Sequence, residues 1–526
     1  MSKFQRKLKH FTITGLSSVL WLQGDSLCEQ PVMDTDGNIL MWNGDIFELT
    51  EPALENDESS MSDTNLLAQM LSSCSSENEI LTTMARIRGP WAMVFYHSTT
   101  NTLWFGRDFF GRQSLLVSRT DDKILLSSCA SSEMKQFEEL PALGLFRCEV
   151  SCDGRTLSQV TLHPWSCLNI DQNIYNFQFV ISDEDIRCPV IIDSPLEETI
   201  DYLSEDMKAN LLFESLLQNP DVNGKVSGLE SVLRQAVSTR MSHQPDQCKD
   251  CIINRQDCPH ASVGVLFSGG LDSCVLAALA LALTNNPIHL YNVAFQQSDG
   301  GFNVPDRVTG LQAFSELRSL YPDKKMKLIL VNVTLEELQE SRISRVKDLL
   351  HPLDSVLDDS IGCAIWFAAR GAGYDSQSGE AVQSKARVLL LGMGIDEQLG
   401  GYSRHRTAFA NGGRQGLAEE LKKELINISR RNLGRDNRIV SDHGVAPRFP
   451  FLDENFVNFL ATVPINLKCD FNFDRGYGEK LILRLLAFKM GLVLTSKEPK
   501  RAVQFGSRIA KMENRKEKGH QKAIRS

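Results

Sequence analysis

One short stretch, Val263-Gly264-Val265-Leu266-Phe267-Ser268-Gly269-Gly270-Leu271-Asp272-Ser273, carries the residue types of a phosphate site. Its apolar run reads as a buried strand, Ser268-Gly269-Gly270 as a turn, and residues 274–283 as an apolar helix. The first N–H groups of a helix lack intrahelical acceptors and sit at the positive end of its dipole, so they attract anions. Gly269 and Gly270 let the backbone approach a phosphate closely, and Ser268 and Ser273 add hydroxyl donors. Asp272 repels a bare phosphate, so its place here points to Mg²⁺, which neutralises both. No Gly-Lys-Ser/Thr follows, so the loop is not of the Walker type. A second Gly-rich acidic loop runs Gly392-Met393-Gly394-Ile395-Asp396-Glu397. A third group, Cys248, Cys251, Cys258 and His260, sits in a polar insert at 243–261. Four such ligands suit zinc, and the same insert also reads as a flexible surface loop with free thiols.

These groups need elements to hold them. Strands are expected at 263–267, 288–295, 327–333 and 386–391, and helices at 274–283, 311–320, 336–350 and 354–370, the last opening on Asp358 and Asp359. Such alternation implies a parallel α/β sheet, with both Gly-rich loops at carboxyl ends of strands, where open sheets bind ligands. An amphipathic helix at 229–241 precedes them, with 219–228 read as a linker and a further helix expected near 197–217. Residues 1–190 read instead as β-rich. Strands are expected around 39–42, 91–96, 102–105, 114–117 and 123–126, with Asn43-Gly44 as a turn signal, an acidic loop over 51–63, and a helix from Thr64 capped by Asp63. Beyond Gly401 helices take over, and basic residues cluster from Arg404 to Arg448 and at Lys500-Arg501. The domain plan is therefore 1–190, a connecting segment 191–228, an ATP-pyrophosphatase-type domain 229–510 and a disordered basic tail 511–526.

The sequence has 526 residues, a net charge of −10 and 42% hydrophobic residues, enough for two or three cored domains. The acidic balance argues against general nucleic-acid binding. Thirteen scattered cysteines fit reduced thiols in a cytoplasmic or nuclear setting better than a disulfide framework. The basic start, Lys3 to Lys9, precedes an apolar run broken by Thr12, Thr14, Gly15, Ser17 and Ser18, which reads as two short strands and not as a secretion signal. No run is long and pure enough to span a membrane.

The Ser268–Gly270 loop resembles the pyrophosphate loop of ATP pyrophosphatases. Three segments together resemble glutamine-dependent asparagine synthetases: Ser268 to Ser273, Gly392-Met-Gly-Ile-Asp-Glu-Gln-Leu-Gly-Gly-Tyr402 and Arg448-Phe-Pro-Phe-Leu-Asp453. Glu479-Lys480-Leu-Ile-Leu-Arg484 and Pro499-Lys500-Arg501 add to the likeness, and the amino-terminal part resembles the family's class II glutaminase domain, an Ntn-type α+β sandwich, through Trp42 to Phe47, Gly89 to Ala92 and Arg107 to Arg112. The resemblance implies that Ser268, Gly269, Gly270, Asp272, Ser273 and Gly392 bind the phosphates of ATP, with Leu266 and Val293 flanking the adenine. It implies that Asp272 and Asp396 hold Mg²⁺ and that Lys500 neutralises charge on the phosphates. The implied reaction adenylates a carboxylate such as aspartate, releases pyrophosphate, and lets ammonia displace AMP. Arg448 reads either as a ligand contact or as part of a buried ion pair.

The departures are as informative. The glutaminase half needs a cysteine after the initiator Met, whose α-amine activates its own thiol, but residue 2 is Ser. Asn43 and Gly44 match the oxyanion-hole pair, and Asp45 and Asp63 match acidic glutamine contacts. Val19 falls where an arginine should grip the glutamine carboxylate. The chain thus reads as starting partway into that domain, with an inactive glutaminase. Met393 replaces a glutamate and Leu391 a hydroxyl residue, so the ATP half reads as intact and the acceptor half as altered. The leading expectation is an asparagine synthetase-like ligase. The alternative is a pseudoenzyme or interaction module that retains ATP binding only. Nucleic-acid-modifying adenylating enzymes share the loop, but the charge and the Arg448 to Asp453 segment argue against them.

Overall fold

A computed structural model describes residues 2–7, 12–24, 26–50, 61–120, 123–149, 158–196 and 212–512. Residues 51–60 of the loop expected over 51–63, most of the helix expected near 197–217, and the tail beyond residue 512 lie outside the described residues. The chain divides into two compact units, residues 1–191 with 428–438, and residues 192–427 with 439–526.

The first unit is built on a seven-stranded sheet in the order Val180–Ile181, Thr161–Pro164, Gly144–Glu149, Thr102–Arg107, Trp91–His97, Ile39–Gly44, Val32–Met33. All neighbours are antiparallel except the first pair. Phe105, Val117, Leu140, Phe146, Leu162 and Phe177 form its main core. The amino-terminal residues pair as two strands, Ser2–Lys7 and Thr12–Ser17, as expected. Asn43-Gly44 is not a turn: both continue the strand, opposite Ala92 and Trp91, because pairing overrides the local Asn-Gly preference. Ser62 caps the Asp63–Ser72 helix in place of Asp63, its Oγ accepting from Asn65 N at 3.3 Å. Among the described residues Cys167 and Cys188 form one disulfide, with Cα atoms 5.8 Å apart, where the sequence reads as reduced thiols in preference to a disulfide framework.

The second unit is an open sheet in the order Ala381–Gln383, Ala372–Asp375, Met326–Val333, Ile288–Phe295, Val263–Leu266, Val388–Leu390, Ala446–Arg448. The five strands from Met326–Val333 to Ala446–Arg448 are parallel; Ala372–Asp375 pairs antiparallel with Met326–Val333, and Ala381–Gln383 antiparallel with Ala372–Asp375. Starting from Val263–Leu266, the chain adds two parallel strands on one side and later two on the other. The order therefore reverses between Val263–Leu266 and Val388–Leu390. At such a switch point the loops beyond neighbouring strands part and leave a crevice.

The Leu271–Leu283 helix is buried nearly all round because it lies between this sheet and the long helix Pro220–Ser242. That long helix corrects the expected linker at 219–228. Asn219 is its N-cap, accepting from Asp221 N and Val222 N, and Pro220 opens the first turn, where its missing N–H costs nothing. Gly228 lies inside it because a Cβ there would come within 2.7 Å of Phe459. Other boundaries moved for local reasons. The helix expected at 311–320 begins at Pro305, again at a helix-opening proline. The one expected over 336–350 contains a π-helical stretch, Arg342–Val346. Among the described residues, no helix is long and apolar enough to cross a membrane.

Candidate active site

The Val263–Leu266 strand ends in a loop whose shape is dictated by Gly269. Its φ is +81°, and a Cβ there would lie 2.4 Å from Gly310 N. The loop can therefore press against the Pro305–Leu320 helix only because this residue is glycine. Buried Asn292 fastens the two together, donating from Nδ2 to Phe267 O and Asp306 O, both at 2.9 Å. Arg307 Nε holds Asn292 Oδ1 at 2.8 Å. Ser268 Oγ accepts from Gly270 N at 3.3 Å, and Ser273 Oγ donates to Gly270 O at 3.0 Å. Gly270 is the N-cap of Leu271–Leu283 with no side-chain cap. The helix opening is thus ringed by small residues and backbone donors.

Beside this opening stand two aspartates and two lysines. Lys480 Nζ lies 2.7 Å from both Asp272 carboxylate oxygens and 2.6 Å from Asp396 Oδ1. Lys500 Nζ bonds Asp396 Oδ2 and lies 3.8 Å from Asp272 Oδ2. The four residues come from the Leu271–Leu283 helix, the turn after Val388–Leu390, the start of Leu481–Lys489 and the segment following Thr495–Lys497. Burial alone would raise the Asp396 acid, but Lys480 and then Lys500 hold it below the usual carboxylate range. Burial likewise disfavours the Lys500 ammonium, and Asp396 and Asp272 push it above its ordinary value. Gly401 makes room for the cluster, since a Cβ there would lie 1.8 Å from Asp396 Oδ1. Arg484 fixes the approach of Lys500 by donating to the carbonyls of Ser496 and Glu498 at 2.8 and 2.9 Å.

The other sequence candidates fall around this centre. Leu266 pairs with Tyr291, which places Val293 two residues further along, level with Ser268 at the carboxyl end of these inner strands. A Cβ on Gly392 would be 3.2 Å from Asp272 Cβ, so the two Gly-rich loops are neighbours. Met393 is partly exposed beside them, and Leu391 is buried. Tyr402 Oη donates to Glu397 at 2.6 Å; burial and then Asp396 keep the Glu397 acid above its ordinary value. Arg448 resolves as a buried helix clamp. Its guanidinium donates to the carbonyls of Arg240 and His243 at the end of Pro220–Ser242.

Sequence reasoning assigned no role to Lys480, Asn292 or Asp306. Asp306 is 7% exposed, in the first turn of Pro305–Leu320. Burial pushes its acid up to about 7, with Arg501 and Lys500 opposing. An acid raised from about 3.9 in an unfolded chain favours folding while protonated, and that contribution disappears as pH rises through the folded value. Stability relative to Asp306→Asn is therefore expected to fall between about pH 4 and about pH 7. Urea titrations of both proteins at steps across this range check it. Parallel curves would mean that Asp306 is not held protonated.

In the first unit the glutaminase-like residues gather at the end of the Ile39–Gly44 strand. Asn43 is exposed there, while a Cβ on Gly44 would meet Pro90 O at 2.4 Å. Gln23 Nε2 donates to Asp45 Oδ1 at 2.8 Å, and Trp42 Nε1 to Asp63 Oδ2 at 3.3 Å. Burial and then Asp45 raise the Asp63 acid to about 7. The Arg107 to Arg112 segment is scaffolding. Asp108 accepts from the backbone N–H groups of Trp91, Phe110 and Arg112, each at 3.0 Å, and from Arg112 Nε at 2.9 Å.

Residues 253–427 and 408–489 match the asparagine synthase family model, and residues 20–139 match the glutamine amidotransferase domain. The chain is 39% identical to asparagine synthetase domain-containing protein 1 of Bos taurus, over 96% of this chain and 90% of that one. The belonging is decided by that breadth. The chain is a member of the asparagine synthetase domain-containing family. Another relative, asparagine synthetase domain-containing protein CG17486 of Drosophila melanogaster, is 38% identical over 95% of this chain and 90% of its own. In this member the family is a mixed α/β chain with an amino-terminal glutamine amidotransferase-like part and a parallel-sheet part. The synthase match takes in the Ser268 loop, Asp272, Asp396 and Lys480, whereas Lys500 lies beyond it.

Proposed function

We propose that this chain is an ATP-dependent carbon–nitrogen ligase that adenylates a small carboxylate, aspartate or a close analogue, releases pyrophosphate and amidates the acyl group with ammonia. The observation that carries the reading is the convergence of Asp272, Asp396, Lys480 and Lys500 beside a helix opening at the sheet's switch point. ATP would lay its phosphates on Ser268, Gly269, Gly270, Ser273 and Gly392, with the adenine between Leu266 and Val293. Asp272 and Asp396 offer the hard oxygens that Mg²⁺ takes, so the donor set fits that ion, which when bound would offset phosphate charge. The two ammonium groups share those oxygens and would face the charge that grows on the leaving pyrophosphate as a carboxylate oxygen attacks the α-phosphorus. In the second half, nitrogen attacks the acyl carbon, AMP leaves, and the nitrogen sheds a proton that Met393 cannot accept. That residue favours either a carboxylate other than aspartate or a slow amidation step. Val19 stands where an arginine would grip the glutamine carboxylate, so ammonium and not glutamine is expected to supply the nitrogen.

The test is pyrophosphate release from ATP and Mg²⁺ with aspartate, with ammonium or glutamine added, against Asp272→Ala. Release that depends on the carboxylate and disappears in the variant, with amide formed from ammonium alone, is the expected outcome. No release above the variant with any of several carboxylates would leave a nucleotide-binding module in place of an enzyme. Glutamate formed from glutamine would sink the ammonium-only part.

A further inference from the structure

At the opposite, amino end of the same sheet, four side chains of the polar insert meet at a point. Cys248 Sγ, Cys251 Sγ and Cys258 Sγ lie 3.5, 3.4 and 3.7 Å from His260 Nδ1. The four atoms all lie within 4.8 Å of one another. A ring nitrogen has one proton or one lone pair, so it can make one good hydrogen bond, not three. Hydrogen bonding therefore does not account for the convergence. A central cation does. With Zn–S of about 2.3 Å and Zn–N of about 2.0–2.1 Å, a tetrahedral ion sets sulfur and nitrogen about 3.5 Å apart.

We infer that Cys248, Cys251, Cys258 and His260, the last through Nδ1, form a structural Zn²⁺ site. Three thiolates and an imidazole are the soft and borderline ligands that zinc takes in closed tetrahedral sites. All four positions are filled by protein, so no position is left for substrate and the ion would be structural. The surroundings suit thiolates. Cys248 N–H donates to Cys258 Sγ at 3.2 Å, and Gln256 Nε2 to Cys251 Sγ at 3.6 Å, as outer-shell donors do around metal-bound sulfur. Cys248 and Cys251 are buried, although the insert between them and His260 has a polar composition. Cys248 caps the short Lys249–Asn254 helix and Cys251 lies on it, which brings both sulfurs to one side; Arg255 at φ +50° then turns the chain back toward Cys258.

The position gives the ion its role. His260 is three residues before the Val263–Leu266 strand, and Ser262 O accepts from Arg387 N at 3.0 Å, at the start of the neighbouring Val388–Leu390 strand. Asp250, on the short helix, pairs with Lys385 at 2.8 Å. The ion would thus peg the amino ends of the two strands whose carboxyl ends carry the Ser268 and Gly392 loops. Cys248 and Cys251 precede the residues matched by the synthase model, so half of the ligand set lies outside the matched region.

The full chain, purified without chelator, is expected to carry one zinc per chain by elemental analysis and to lose it in Cys251→Ser. His260→Cys, which supplies a fourth thiolate, is expected to keep it and to stay folded. Cobalt exchanged into the wild type should show the strong visible bands and thiolate charge transfer of a tetrahedral sulfur-rich site. Removing zinc from the wild type should lower the melting temperature, and added zinc should restore it. A folded wild type without zinc, whose melting temperature ignores both chelator and added zinc, would overturn the inference. So would cobalt bound without thiolate charge transfer.

Discussion

Replacing Lys480 by methionine is expected to lower pyrophosphate release by about 100-fold or more. Lys480 is 2% exposed and touches both carboxylates that flank the phosphate loop. Methionine keeps the length and apolar stem but removes the charge. Asp272 and Asp396 would then share Lys500 alone, which lies 3.8 Å from Asp272 Oδ2 and so cannot replace the lost contact. Two consequences follow from one change. The carboxylates repel each other across a partly dry site, and the phosphates lose a fixed positive partner that costs no reorganisation when charge develops. Breaking a buried charge group typically costs about 3–5 kcal/mol, and the remaining Lys500 keeps the expected loss toward the lower end. Initial-rate pyrophosphate assays and denaturant unfolding of the same preparation separate the two effects. A rate within a few-fold of wild type would remove Lys480 from the chemistry. Arginine is not expected to rescue the site, because its planar fork cannot sit as a point charge between two carboxylates.

The contrast between Lys480 and Ser268 shows what the sequence makes legible. The phosphate loop is contiguous: strand, glycines, hydroxyls and acid follow one another within eleven residues, and each type has one physical meaning there. The parallel sheet was equally readable, because apolar runs and helical stretches alternate along the chain. Lys480 has no local meaning. Its partners lie 208 and 84 residues away in the chain, and only the close packing permitted by Gly401 brings them together. Asn292 is similar: a lone polar residue inside a buried strand, whose purpose is seen only when Phe267 and Asp306 are placed beside it. Arg448 belonged to a segment that was conspicuous in sequence, yet its guanidinium serves the end of a helix some 200 residues earlier. Local signals also misled where pairing won. Asn43-Gly44 has the composition of a turn and the geometry of a strand, because Ala92 and Trp91 offer it a ladder. At Asn219 the reverse holds: an Asn-Pro-Asp sequence that reads as a linker is a helix start, with its cap, its first-turn proline and its acid in order.

A second large effect is expected from Gly269→Ala, and its neighbour supplies the control. At φ +81° an added Cβ meets backbone, 2.4 Å from Gly310 N and 2.5 Å from Thr309 C, and a helix cannot give way as a flexible side-chain tip can. Left-handed strain of about 1–2 kcal/mol adds to overpacking of about 1–3 kcal/mol, so a loss of about 3 kcal/mol is expected in denaturant unfolding. The loop would also shift away from the helix, carrying Ser268 and Gly270 with it. Misplacement by about 1 Å costs about 100-fold where geometry sets the rate, so pyrophosphate release should fall with stability. Gly270 is different. Its φ is −75°, and the nearest atom to an added Cβ is Ser268 Oγ at 3.4 Å, an ordinary contact. Gly270→Ala should therefore unfold within about 1 kcal/mol of wild type. It nevertheless places a methyl group where a phosphate would approach the helix opening, so its activity should drop while its fold holds. Loss of both properties at Gly269 and of activity alone at Gly270 is the pattern that a phosphate seated on this turn requires. Full activity in Gly270→Ala would mean that the phosphates lie elsewhere.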